Sequence, residues 1–523
     1  MTPSKRVFGR AGKDRLEWFW RCEPLRANGH AFRRILLKIV LISTYELGHQ
    51  PFGLASPAAW LRRSGAEVTC LDLSRQPFEE HAVRAADAVA FYVPMHTATR
   101  LAIRLIEPVR RLNPRAHLCF YGLYAPVNEA YLGELGVETI IGGEFEAALA
   151  ETFSRLANQQ SHGNGSDAVA PSGQRKPTIS LERLSFLPPD RSQLPPLRQY
   201  AHLLRPEGGF KVAGYTEASR GCKHLCRHCP IVPVYNGIFR IVQREVVFED
   251  IRQQVDAGAE HITFGDPDFF NGPAHALAIV EAMHREFPQL TYDVTIKIEH
   301  LLRHAESLPK LRDTGCLFVT SAVESVDDAI LARLAKGHTR ADFLAVVALF
   351  RELGLILQPT FVPFTPWTSL SGYRELLALV AEQDLVENVA PIQLGIRLLI
   401  PAGSRLLELD DVRKAIGNFD SSGLVYPWEH GDARMDKLSA RVQELASAGD
   451  RLKRSRTDTF LHIWRAGNEL GDKAASGHVV PKAPTHGIPH FSEPWYCCAE
   501  PTQDQFVSIT SDLRPQVQSD RFF

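Results

Sequence analysis

Apolar strand-like runs alternate with helical stretches in two long blocks, and this alternation constrains the fold more than any other feature. Ile35–Thr44 (ILLKIVLIST) is a continuous apolar run suited to a strand buried on both faces. Pro51–Gly65 follows with apolar residues at helical spacing, closed by Gly65. Short runs at Val68–Leu73, Ala88–Pro94, His117–Tyr121 and Thr139–Ile141 then alternate with helical stretches such as Thr99–Leu112 and Glu144–Leu156. This pattern predicts a parallel sheet covered on both sides, a doubly wound α/β domain over 35–157. Ligands of such sheets bind beyond the carboxyl ends of the strands, here Thr44–Gly48, Pro94–Thr97, Gly122–Pro126 and Gly142–Glu144.

The composition changes after Ala157. QQSHGNGSD, PSGQRKP and two LPP triplets cannot bury much apolar surface, which predicts a flexible linker over 158–196. Strand-like runs resume at Val212–Ala218, His261–Phe264, Thr291–Ile298, Leu317–Val323, Leu355–Val362 and Ile392–Ile400, separated by helical stretches. Six such units predict a partial (β/α)6 barrel over 197–400, with chemistry at the C-terminal ends of its strands. A mainly helical, charged region and an ordered tail are expected over 401–523, and an extension over 1–34 precedes the first strand.

Composition narrows the function classes. The 59 Lys+Arg balance 60 Asp+Glu, so no basic field draws the chain to nucleic acid or anionic lipid. No apolar run is long enough for a membrane span, and the Arg-rich first thirty residues lack the apolar stretch of a secretory signal. The expectation is a cytoplasmic protein. Its 9 cysteines, an odd number over a long chain, do not read as a disulfide framework. Cys70, Cys119 and Cys316 lie in apolar runs and are expected to be buried fillers.

Three cysteines are concentrated in one loop, Ala218-Ser-Arg-Gly-Cys222-Lys-His-Leu-Cys226-Arg-His-Cys229-Pro230, directly after the first strand of the second block. Thiolates at this spacing can converge on three corners of an iron–sulfur cubane and leave one iron for an exogenous ligand. Zinc is the rival, with His224 or His228 as a fourth ligand. The loop resembles that of the radical S-adenosylmethionine (SAM) enzymes. The resemblance implies a [4Fe-4S] cluster on Cys222, Cys226 and Cys229 that reductively cleaves SAM, and a low-potential electron donor of flavodoxin or ferredoxin type. It implies cofactor contacts at His228, where the family usually has an aromatic residue near the adenine, and at Gly265, Asp266 and Asp268 in Phe264-Gly-Asp-Pro-Asp-Phe-Phe-Asn271. Glu324 and Ser325, in Ser321-Ala-Val-Glu-Ser325, resemble the segment that reaches the SAM ribose. On the residues alone, each carboxylate could equally cap a helix or close a turn.

The first domain is similar to the cobalamin-binding module found ahead of such barrels. Ile140-Ile-Gly142-Gly143-Glu144-Phe-Glu146 matches that module's last strand and turn, so the resemblance implies cobalamin as a further cofactor, with Gly142 and Gly143 against it. The Asp-x-His-x-x-Gly motif that places a histidine under cobalt is absent, and His49 and His96 read as ordinary strand-end residues. The tail, Glu493-Pro-Trp-Tyr-Cys497-Cys498-Ala-Glu-Pro501, resembles the signature of the radical SAM proteins named for a Cys-Cys-Ala-Glu-Pro or selenocysteine-containing tail. That resemblance implies chemically active Cys497 and Cys498, acting on a small-molecule substrate for which an arsenic, selenium or sulfur centre is one hypothesis. The transferred group is then a radical, a methyl or a 3-amino-3-carboxypropyl fragment. The competing reading is a non-catalytic iron–sulfur redox or metal sensor that uses the tail thiols as its switch.

Overall fold

The computed structural model describes residues 36–161, 178–469, 487–493 and 505–506. The N-terminal extension and the tail cysteines Cys497 and Cys498 lie outside the described residues.

Six parallel strands form the first sheet: β1 (Lys38–Ser43), β2 (Glu67–Asp72), β3 (Ala88–Tyr92), β4 (His117–Tyr121), β5 (Thr139–Gly143) and β6 (Thr178–Ser180). Their spatial order is β2-β1-β3-β4-β5-β6, so chain direction across the sheet reverses between β1 and β3. In a doubly wound sheet that reversal opens the ligand crevice. The strands are apolar on both faces because two buried clusters cover them, one around Ile42, Phe91 and Phe120, the other around Leu41, Leu54 and Tyr121.

A second, larger sheet contains β7 (His202–Leu204) and β8 (Phe210–Thr216), paired antiparallel; a short hairpin of β9 (Ser219–Gly221) and β10 (Phe239–Ile241) stands apart from it. β11 (His261–Phe264), β12 (Thr291–Thr295), β13 (Cys316–Glu324) and β14 (Ile356–Phe361) follow β8 in parallel register. β15 (His490–Phe491) pairs antiparallel with β7 and extends the sheet on its open edge. Ile262, Phe264, Val294, Val319 and Leu357 belong to the large core between this curled sheet and its helices. Strand alternation turns their neighbours Thr263 and Asp293 to the other face, where the Thr263 hydroxyl donates to Asp293 Oδ1 at 2.7 Å. After β14 the helices Ala433–Arg451 and Arg456–Glu469 pack together, and Phe460, Ile463 and Trp464 join the core. Among the described residues no helix is long and apolar enough to cross a membrane.

Two expectations need correction. Residues 178–196, read as part of a flexible linker, form β6 and then seat against both sheets: Asp190 pairs with Arg62, and Arg191 holds Asp250 at 2.7 Å and Gln50 Oε1 at 2.8 Å. Prolines keep this segment extended, and its polar side chains find partners distant in sequence. The sixth barrel strand, expected over Ile392–Ile400, is reduced to one bridge between Phe364 and Arg397, because Pro391–Leu394 turns as a 3-10 helix. Cys70, Cys119 and Cys316 are buried as expected.

Candidate functional site

The three-cysteine loop is held at its base before any cofactor is considered. Asp266, just past β11, accepts from Ala218 N through Oδ2 at 2.9 Å and from the Ser219 hydroxyl through Oδ1 at 2.5 Å. Both carboxylate oxygens are thus engaged with the strand that leads to Cys222. Burial raises Asp266 to about 7, against the lowering effect of these two hydrogen bonds. Asn271 accepts from Lys223 N at 3.1 Å and donates to Gly221 O at 3.4 Å. Gly221 has φ +71°, and a Cβ there would meet the Tyr235 ring at 2.4 Å, so this turn requires glycine. Gly265 is required for the same kind of reason: a Cβ would fall 1.9 Å from the Tyr215 hydroxyl. Within the loop, His224 N donates to Cys222 Sγ at 3.5 Å, and Arg227 N donates to Leu334 O at 2.9 Å.

A buried polar trio joins the loop to the end of β13. Glu324 Oε1 lies 3.0 Å from His228 Nε2 and 3.3 Å from Lys336 Nζ, all three largely buried. Burial alone would raise the Glu324 carboxyl, but Lys336 and then His228 hold it down to about 2. Lys336 is in turn raised, since Glu324 and the Cys226 and Cys229 sulfurs outweigh its burial. Glu324 has φ +69°, at a register irregularity between β13 and β14. A non-glycine residue held there stores backbone strain, a pattern concentrated at functional positions. Ser325 serves the next turn, its hydroxyl accepting from Asp327 N at 3.1 Å.

A second group flanks Cys222. Asp268 caps the turn Phe269–Asn271 through Oδ1, while Oδ2 lies 2.7 Å from His300 Nδ1 and 3.4 Å from His224 Nε2. Burial would raise this carboxyl, yet the two imidazoles bring it below its ordinary value. Lys297 Nζ sits 3.1 Å from His224 Nδ1. Ligand atoms of Cys222, His224 and Asp268 lie within 4.8 Å of one another, which is the donor set zinc would use.

On the first domain, Gly142 and Gly143 are the last two residues of β5 and pair with Ile179 and Ser180 of β6. Their missing side chains are accounted for by the chain itself: a Cβ at Gly142 would meet Pro126 at 2.5 Å, and one at Gly143 would meet Ser180 O at 2.1 Å. His49 is buried between Tyr215 and Phe491, with ring centroids 4.9 and 5.3 Å away, and burial lowers it to about 4. His96 opens the helix His96–Ile103 and is buried too. Lys336 lies in Leu334-Ala-Lys336-Gly337-His338-Thr339, which with Ser321–Ser325 resembles the segment that reaches the SAM ribose. No sequence motif assigns a role to His300 or Arg220; Arg220 stands two residues before Cys222, and that proximity is its one signal.

Residues 216–365 match the model of the radical SAM superfamily, a span that runs from the end of β8 to just past β14 and contains all three cysteines. The chain carries a radical SAM domain. Such domains use SAM and a [4Fe-4S] cluster. A hopanoid C-3 methylase of Methylococcus capsulatus is 24% identical over 328 residues, covering 61% of this chain and 62% of that protein. The match to this relative therefore spans somewhat less than two thirds of its length. A putative methylthiotransferase of Methanocaldococcus jannaschii is 22% identical over 339 residues, 60% of this chain and 70% of that one. Among solved structures, the cobalamin-dependent SAM radical enzyme OxsB with aqua-cobalamin bound superposes with TM-score 0.60 at 14% identity, over 80% of this chain and 67% of OxsB. The radical SAM methyltransferase TsrM from Kitasatospora setae, with cobalamin and a [4Fe-4S] cluster bound, gives TM-score 0.50 at 18% identity, over 67% of this chain and 71% of TsrM. The radical SAM domain and the doubly wound domain before it share the fold of these cobalamin-binding structures.

Proposed function

We propose that the protein is a cobalamin-dependent radical SAM transferase. The observation that carries this is the presentation of Cys222, Cys226 and Cys229 on one braced loop after β8, whose own His228 pairs with the buried Glu324, itself paired with Lys336. Three thiols suit a [4Fe-4S] cluster with one iron open to SAM. Such a cluster supplies the electron that breaks a SAM carbon–sulfur bond. The chain's own part is to hold a cation near the thiolates through Lys336, to present a carboxylate at Glu324, and to keep water from the site by burial. Ser321 Oγ and His228 Nδ1 are buried without a hydrogen-bond partner among the described residues, and both suit a polar ligand.

The first domain fits a polar cofactor at its sheet edge. Ser43 Oγ, Glu46 Oε2 and Asn128 Oδ1 are buried and unpartnered among the described residues; Ser43 and Glu46 lie at and just past the carboxyl end of β1, and Asn128 ends the helix Tyr124–Val127 that follows β4. Burial, with Glu217 and Asp72 nearby, raises the Glu46 carboxyl well above its ordinary range. Corrin and nucleotide amides are suitable partners for such groups, and cobalamin would supply a methyl carrier there.

The tail cysteines Cys497 and Cys498 are assigned to a thiophilic substrate. Support comes from the described residues on either side. Glu493 Oε2 lies 2.8 Å from Arg75 Nη2, and the Arg104 guanidinium lies 4.1 Å from the Phe506 ring centroid. Both anchors are on the first domain.

The test is anaerobic reconstitution with iron and sulfide, followed by reductant, SAM and cobalamin. Product analysis separates S-adenosylhomocysteine (methyl transfer), 5′-deoxyadenosine (radical chemistry) and methylthioadenosine (aminocarboxypropyl transfer). No product above a Cys222→Ala control overturns the enzyme reading. An iron cluster that responds to oxidants without SAM turnover supports the sensor, and zinc without iron supports the Cys222–His224–Asp268 set.

A further inference from the structure

The cysteine loop leaves and rejoins its surroundings through two stems, and one turn of the first domain binds both. On the upstream stem Arg220, two residues before Cys222, is 6% exposed. Its Nη2 lies 2.6 Å from Glu146 Oε1 and its Nη1 2.9 Å from Glu146 Oε2, a two-pronged pair. Nη1 also reaches Glu144 Oε2 at 3.4 Å, and Nε reaches Glu217 Oε2 at 2.6 Å. The guanidinium is enclosed by the Phe52, Phe145 and Phe186 rings, with centroids 5.5, 5.0 and 5.0 Å away. On the downstream stem Tyr235, past Cys229, donates its hydroxyl proton to the other oxygen of Glu144 at 3.2 Å. Glu144 therefore touches the chain on both sides of the three thiols.

The turn that offers these carboxylates is itself fixed. Glu144 N donates to Ser180 O at 2.7 Å, and the Ser56 hydroxyl donates to Glu146 Oε1 at 2.6 Å. Stability alone gives little reason for the arrangement. Replacing a buried ion pair by well-packed apolar side chains of similar volume is often neutral or stabilising. What a planar guanidinium gripped on two edges does supply is direction, because the fork admits few orientations.

We propose that Glu144 and Glu146 are positioning residues for the three-cysteine loop, fixing through Arg220 and Tyr235 the geometry in which its thiols are presented. The inference rests on the reading that Cys222, Cys226 and Cys229 hold an iron–sulfur cluster. It gives the Gly142–Glu146 turn a second role: the segment bordering the ligand edge of the first sheet also braces the cluster loop, so the two cofactor regions share one support.

The experiment uses the full chain, reconstituted anaerobically, as parent and as Glu146→Gln, Glu144→Gln, Tyr235→Phe and Cys222→Ala. Iron content and the electron paramagnetic resonance spectrum of the reduced protein are read with and without SAM. Glu146→Gln is expected to keep its iron while the g-values of the reduced cluster shift, and to need about tenfold more SAM for half of the SAM-induced change, the effect of losing one hydrogen bond to a charged partner. Tyr235→Phe is expected to shift the spectrum in the same direction by less. Spectra and SAM titrations of all three that overlay the parent's would overturn the inference while leaving the cluster reading intact. A parent with no iron–sulfur spectrum overturns the reading beneath it. Should Glu146→Gln fail to fold, by circular dichroism, Tyr235→Phe decides the matter, since it removes a single hydroxyl.

Discussion

His228 Nε2 lies 3.0 Å from Glu324 Oε1, and Lys336 Nζ reaches the same oxygen at 3.3 Å. A histidine at the position where related loops usually carry an aromatic residue is thus tied to the strained end of β13. Glu324→Gln keeps the shape and removes the charge, leaving Lys336 buried without its counter-ion. Breaking one side of a buried pair costs about 3 kcal/mol, and the double variant Glu324→Gln/Lys336→Met is expected to recover part of it. Urea unfolding of the parent, both single variants and the double variant measures the coupling. Additive effects would show that the two groups do not depend on each other.

The choice between iron and zinc separates residues that stand side by side. A cubane on three thiols predicts that Cys222→Ala, Cys226→Ala and Cys229→Ala each lose the visible iron–sulfur absorption. His224→Ala is expected to keep it, because His224 lies against Asp268 and Lys297. Metal analysis of the four variants purified without oxygen checks this. Loss of metal in His224→Ala equal to that in Cys222→Ala would favour the zinc set.

The resemblance of its segment implies a cofactor contact at Asp266, but both of its oxygens are committed to Ala218 and Ser219. Asp266→Ala removes two hydrogen bonds at the root of the loop, at roughly 1–3 kcal/mol for the buried donors left unpaired. The expected result is a lower fraction of cluster-loaded protein with ordinary SAM affinity in that fraction. Iron content and SAM titration, measured together, decide. Full loading with weakened SAM binding would instead favour direct contact.

The sequence revealed local order more readily than distant contacts. Apolar runs of strand length became β1 to β5, β8 and β11 to β14, and the cysteine spacing marked the loop without help from the fold. Arg220 was invisible as a functional residue because Glu144 and Glu146 stand 76 and 74 positions before it. Nothing in a basic residue beside a cysteine motif announces a partner that far away. The order of 178–196 is hidden for a related reason: its composition predicts no core of its own, and its partners Arg62, Gln50 and Asp250 are distant in sequence. Asp268 stands in a segment whose motif is legible, whereas His300, which lies 2.7 Å from it, is on the helix Ile298–Arg303, which carries no motif.

Glu144 makes stability depend on pH with a sign that can be worked out. Burial raises its carboxyl from 4.5 to about 7, with Arg220 opposing and Glu146 adding to the rise. Between those values the folded chain keeps a proton that the unfolded chain has released. The associated stabilisation is therefore complete below about pH 4.5, declines as pH rises, and is gone above about pH 7. The full shift corresponds to roughly 3 kcal/mol. Glu144→Gln removes this titration while retaining an acceptor for the Tyr235 hydroxyl. Asp266, also raised to about 7, keeps part of the slope in the variant. In urea unfolding at pH 5 and pH 7.5, the parent is expected to lose more stability than Glu144→Gln on going to the higher pH. Equal losses in the two proteins would mean that Glu144 is already ionised at pH 5, and that Arg220 compensates its burial in full.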